Sequence, residues 1–103
     1  MEHTPWPNRV INALNNPPKK LYHATTVGKF EKYENSGMIY PPVRGFDTLE
    51  GVQEWARLVN SRTIILEFEV EVVQALPDHH NKYGLAWWSP KPVTEWKVIE
   101  NAK

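Results

Sequence analysis

Between residues 64 and 73 the chain alternates strictly: Ile64, Leu66, Phe68, Val70 and Val72 fall on one side, and Glu67, Glu69 and Glu71 on the other. Successive side chains of a strand point to opposite faces, so this pattern predicts a half-buried strand of an antiparallel sheet. A helix would scatter the glutamates around its circumference. A second pattern lies upstream, where Leu49, Val52, Ala56 and Val59 recur at helical spacing with Trp55 beside them. Asp47-Thr48-Leu49-Glu50 before it has the form of a capping box, an N-cap oxygen followed three residues later by a glutamate. The spacing predicts an amphipathic helix over Leu49–Val59, capped by Asp47 or Thr48, with Glu50 reaching back.

The remaining elements are shorter. Lys20-Leu21-Tyr22-His23-Ala24-Thr25 reads as a strand, and Thr26 then caps a short helix over 27–33. Residues 38–40 form a brief extended run closed by Pro41-Pro42, and 43–46 another short strand. Residues 75–83, with Pro77 and His79-His80, read as a polar loop. Residues 84–88 fit a strand or a packed loop, and 93–99 make a last strand. Residues 8–14 fit two helical turns, with Val10, Ile11 and Leu14 on one face. Pro5, Pro7, Pro17 and Pro18 flank them, and Trp6 is expected to pack the segment down. The expected organisation is a proline-rich N-terminal arm over 1–20 and a single α+β domain over 21–103, with a mainly antiparallel sheet and two or three short helices.

Composition narrows the function more than the fold. At 103 residues the chain is one domain with a modest core. Twelve basic and twelve acidic residues cancel, which leaves no strong electrostatic footprint for nucleic acid and nothing to hold an anionic membrane. The chain has no cysteine, hence no disulfide framework and no thiolate nucleophile. No apolar run reaches membrane-spanning length and no leader stands at the N-terminus, so the expected location is cytoplasmic. His79-His80 has no third ligand at a recognisable spacing, and no metal site is expected. Five tryptophans are many for this length. Trp6, Trp87 and Trp88 are candidates for a protein-binding surface, where tryptophan is enriched.

One short motif carries a sharper expectation. Leu21-Tyr22-His23-Ala24-Thr25-Thr26 resembles the first core strand of ADP-ribosyltransferase-like domains. The order that follows also fits: a short helix, the run Gly37-Met38-Ile39-Tyr40, the step Arg44-Gly45-Phe46-Asp47-Thr48, a helix with Trp55-Ala56, a strong strand, and Thr94-Glu95-Trp96-Lys97-Val98. The likeness covers roughly residues 20–100 and is nearest in outline to small tRNA 2′-phosphotransferase and toxin-like members. It implies a split sheet with NAD as substrate rather than resident cofactor. On that likeness His23 meets the nicotinamide-side ribose, the backbone at Ala24 holds the carboxamide and Thr25 lines the same floor. Tyr40 or Phe46 stacks on the nicotinamide, and Arg44 meets a phosphate. Glu95 stabilises charge developing at the ribose.

Two departures stand beside the likeness: Val93 occupies the place of the family's glutamate or glutamine before Glu95, and the hydroxyl signature is reduced to Asp47-Thr48. Each residue also has a plain structural reading. His23 can tie a strand to a loop, Tyr40 and Phe46 can be core, and Glu95 can be a solvated strand glutamate. Three readings therefore stay open: an NAD-consuming enzyme that moves ADP-ribose to an unknown macromolecular acceptor or removes a phosphate, an inactive domain of the same fold that binds a protein partner, or an α+β domain unrelated to this family in which the histidine is incidental.

Overall fold

The computed structural model describes residues 7–101. Along the chain it forms α1 (Asn8–Leu14), β1 (Lys20–Thr25), α2 (Val27–Ser36), β2 (Val43–Phe46), α3 (Leu49–Val59), β3 (Ile64–Glu69), β4 (Gln74–Asn81), β5 (Gly84–Ser89) and β6 (Lys97–Asn101). The strands make one six-stranded sheet in the order β4-β5-β2-β1-β3-β6. Every pairing among the described strands is antiparallel.

Helices cover both faces. Leu21, Val43, Leu66, Phe68, Leu85 and Trp87 point to the face covered by α1 and α2, where Val10, Phe30 and Tyr33 pack against them. Ala24, Phe46, Ile65 and Ala86 point the other way and meet Val52, Trp55 and Ala56 of α3. β3 lies inside the sheet between β1 and β6, and the alternation identifies its buried positions: Leu66 and Phe68 are 0% and 3% exposed. Ile65 is buried as well, because α3 covers the opposite face.

The strand stops earlier than its alternation. Val70 still donates its N–H to the Lys19 carbonyl, but Pro17-Pro18 precede Lys19 and leave no ladder for the residues beyond. Residues 70–73 therefore leave the sheet, and Val72 is exposed.

Three other expectations are corrected. The polar run over 75–83 is mostly β4, an edge strand joined to β5 by a tight turn at Lys82-Tyr83. Its register shifts between Leu76 and His80, which lets Pro77 sit where no ladder bond is needed. The last strand begins at Lys97 rather than Val93, which makes only an isolated bridge to Ile39. The first segment is not an appended arm from residue 8 onward, since Val10 of α1 belongs to the main core. Trp6 lies outside the described residues.

Thr48 caps α3 by accepting from the Gly51 N–H at 3.0 Å. Glu50 is exposed and makes no return bond among the described residues. Asp47 instead accepts from the Leu85 N–H at 2.9 Å and from the Trp87 indole at 3.3 Å. Thr48 Oγ1 also donates to the Tyr83 carbonyl at 2.8 Å, so the start of α3 is fastened to the β4–β5 turn.

Candidate functional site

His23 sits on β1 with its ring toward α2. Tyr22 pairs with Phe46 across the β1–β2 ladder, which puts Gly45 opposite His23. No side chain stands there, and a Cβ at Gly45 would lie 2.8 Å from the Tyr22 carbonyl oxygen. The His23 imidazole reaches the adjoining peptide of β2, where its Nδ1–H donates to the Arg44 carbonyl at 2.6 Å. A carbonyl only accepts, so the proton resides on Nδ1 and Nε2 is left as an acceptor. Nε2 takes the Tyr33 hydroxyl at 3.1 Å. Both nitrogens are thereby satisfied in the neutral ring.

Electrostatics agree with a neutral ring. Burial pushes the His23 pKa below its ordinary value, the bond to the Arg44 carbonyl opposes the shift, and the Arg62 and Lys29 cations add to it. The imidazole is uncharged at neutral pH. It neighbours Tyr33 at 5.8 Å and Phe68 at 6.3 Å between ring centroids. Tyr33 in turn meets Trp96 edge-on at 6.4 Å. An aromatic chain thus runs from β1 through α2 to the segment before β6, and Glu95 precedes Trp96 in that segment.

Glu95 is exposed and lies off any strand. It lines an open groove of about 1150 Å³ together with Phe68, Val70, Val93 and Trp96, where residues 91–97 part from the end of β3. β6 pairs with β3 only from Ile64 to Glu67, so the sheet is open beyond that point. Phe68 belongs to both places: it lines the groove and adjoins the His23 ring.

The other candidate residues separate. Phe46 faces α3 and stacks on Trp55 at 6.5 Å, on the side of the sheet away from His23. It cannot hold a ring bound beside His23, because a four-residue strand sends Val43 and Gly45 to one face and Arg44 and Phe46 to the other. Tyr40 is 67% exposed and does not line the groove. The Arg44 side chain is exposed, and its backbone carbonyl is what reaches His23. Ala24 is buried with its carbonyl accepting from Arg62 at 3.2 Å. Thr25 is wholly buried, and its hydroxyl has no hydrogen-bond partner among the described residues.

One expectation about surfaces also changes. Trp87 is 2% exposed and bonded to Asp47, so it is core and not a contact surface. Trp88 is half-buried. Among the described residues no cluster of three metal-ligating side chains forms, and no helix is long and apolar enough to cross a membrane.

The sequence points to His23 and Glu95 but not to Tyr33, which bonds His23, or to Trp96, which meets Tyr33 and follows Glu95 in the chain. Phe30 and Tyr33 stand three positions apart, the spacing of one helical face, and that was the available signal for Tyr33. Nothing local singled out Trp96. No protein-family model matches the chain, and neither a curated protein nor a solved structure matches it.

Proposed function

We propose that the chain is an ADP-ribosyltransferase-like domain that takes NAD as substrate on its α2 face and transfers ADP-ribose to a macromolecule. The observation that carries this reading is the His23–Tyr33–Trp96 array, which joins the Tyr-His-Ala-Thr strand to the segment bearing Glu95 on one side of the sheet. His23 and Thr25 supply polar groups for the ribose side. Trp96, in place of Tyr40 or Phe46, supplies an aromatic face suited to a flat cation. In the reaction the bond between the ribose C1′ and the nicotinamide nitrogen breaks, and nicotinamide leaves as a neutral molecule. The acceptor oxygen or nitrogen bonds to C1′ and gives up its proton. Glu95 is negative beside the carbon on which positive charge develops.

Release of nicotinamide from NAD, with water as acceptor, tests the reading. Glu95→Gln should lower that rate about 10²–10³-fold, the usual loss for one such electrostatic contact, with NAD binding retained. Equal rates for the two proteins would remove Glu95 from the chemistry.

A second reading is favoured by one specific observation: both His23 nitrogens are already bonded inside the fold. An inactive domain that binds a protein partner would keep His23 in this way. Failure of NAD to bind at about millimolar concentration, a level weaker than most enzyme–substrate affinities, would favour it.

A further inference from the structure

We infer that α2 is a lid, and that the Tyr33 hydroxyl is an intramolecular stopper on His23 which leaves when α2 lifts. The two long helices are held very differently. None of the ten residues of α2 is buried, and two side chains, Phe30 and Tyr33, pack it against the core. A helix this short is marginal by itself, so its place depends on those two anchors and on the bond to His23. Its ends are closed much as those of α3 are. Thr26 caps the first turn by accepting from the Lys29 N–H at 3.2 Å, and Gly37 closes the last turn at φ 73°, the left-handed region.

On the side of β1 that faces α2 stand groups that a folded interior does not need. His23 Nε2 offers its lone pair to a tyrosine hydroxyl, a partner that a hydroxyl of a ligand would replace without change of protonation. On the same strand face, two positions on, the Thr25 hydroxyl is wholly buried with no partner among the described residues. Burying an unpaired hydroxyl is costly, and the cost ends when the strand face opens to water or to a ligand. Lifting α2 also removes Tyr33 from Trp96, which extends the groove of Phe68, Trp96 and Glu95 to the His23 ring. The closed form is a self-occupied site. Opening is local, because the other face and the β4–β5 turn are fastened to α3 by contacts that do not involve α2. This inference is independent of NAD as the ligand.

The test uses the whole chain and needs no ligand. Amide hydrogen exchange should be about tenfold or more faster in α2 than in α3, as expected for a unit that opens below the global unfolding free energy. Tyr33→Phe should speed α2 exchange a further ~2–10-fold, the equivalent of one lost hydrogen bond, and leave α3 and β3 unchanged. Carbethoxylation by diethyl pyrocarbonate, read by mass spectrometry at each histidine, should rise at His23 in this variant and stay constant at His79. Exchange in α2 as slow as in α3 would overturn the lid. So would a His23 modification rate that Tyr33→Phe leaves unchanged. The wild-type comparison stands even if the variant folds poorly.

Discussion

α2 and α3 are nearly equal in length, ten and eleven residues, yet they do opposite work on opposite faces of one sheet. α3 buries Val52 and the backbone of Gly51, packs Trp55 and Ala56 over Phe46, and is fastened at its start by Asp47, Thr48 and Asn81. Gln53 and Glu100 tie its middle to β6. α2 has two half-buried aromatic anchors and one bond to a histidine. Polar bonds on the α3 side close the fold upon itself, while those on the α2 side join residues that a ligand could use. The two faces are thus held with different firmness, and substitutions should separate them.

The largest effect should come from Phe68→Ala, which empties a core position shared by the α2 face and the groove. It should cost about 3–5 kcal/mol in chemical denaturation, the range for a buried aromatic. A loss below about 1 kcal/mol would mean that α2 and its neighbours do not close over it. Gly84→Ala attacks the α3 fastening directly, since the new Cβ would lie 2.5 Å from Thr48 Oγ1 and 2.9 Å from Asp47 Oδ1. It should destabilise by about 1–3 kcal/mol, as overpacking does, while leaving α2 exchange where it was relative to the global value.

Acid should act on the other side. Burial holds His23 neutral below its ordinary pKa of 6.5, so on acidification the unfolded chain takes up a proton first. The His23 contribution is intact above that value and is lost as pH falls from it toward the lowered folded pKa. His23→Gln should flatten the stability–pH profile in that window, which denaturation at several pH values would show. The smallest effect belongs to Tyr33→Phe, about 0.5–1.5 kcal/mol for a single hydrogen bond and confined to α2. A larger global loss from this variant than from Gly84→Ala would invert the comparison.

The frame of the fold was legible because it rests on local periodicity. Alternation marked Leu66 and Phe68, and a capping-box pattern marked Asp47 or Thr48 as the cap, a role that Thr48 takes without Glu50. β4 was not legible, since Pro77 and the polar run to Asn81 resemble a loop; only the register shift opposite β5 lets them be a strand. The last strand was misplaced because Val93 is extended without pairing into the ladder. At the site, His23 stood out by its neighbours in sequence. Phe46 faces away from His23 because the register of β1 on β2, which a sequence does not display, sets Gly45 opposite His23 and turns Phe46 to the other face. Tyr33 and Trp96 were invisible for a similar reason: contacts between a helix and a distant segment leave no periodic trace.

The central claim is that the α2 face, and not the α3 face, receives NAD. Calorimetric titration of NAD into the intact protein, into His23→Ala and into Phe46→Leu tests it most directly, with thermal melts confirming that each variant is folded. Binding to the wild type, its loss in His23→Ala and its retention in Phe46→Leu are the expected results. No binding to the wild type, or binding that survives His23→Ala and fails in Phe46→Leu, would contradict the account.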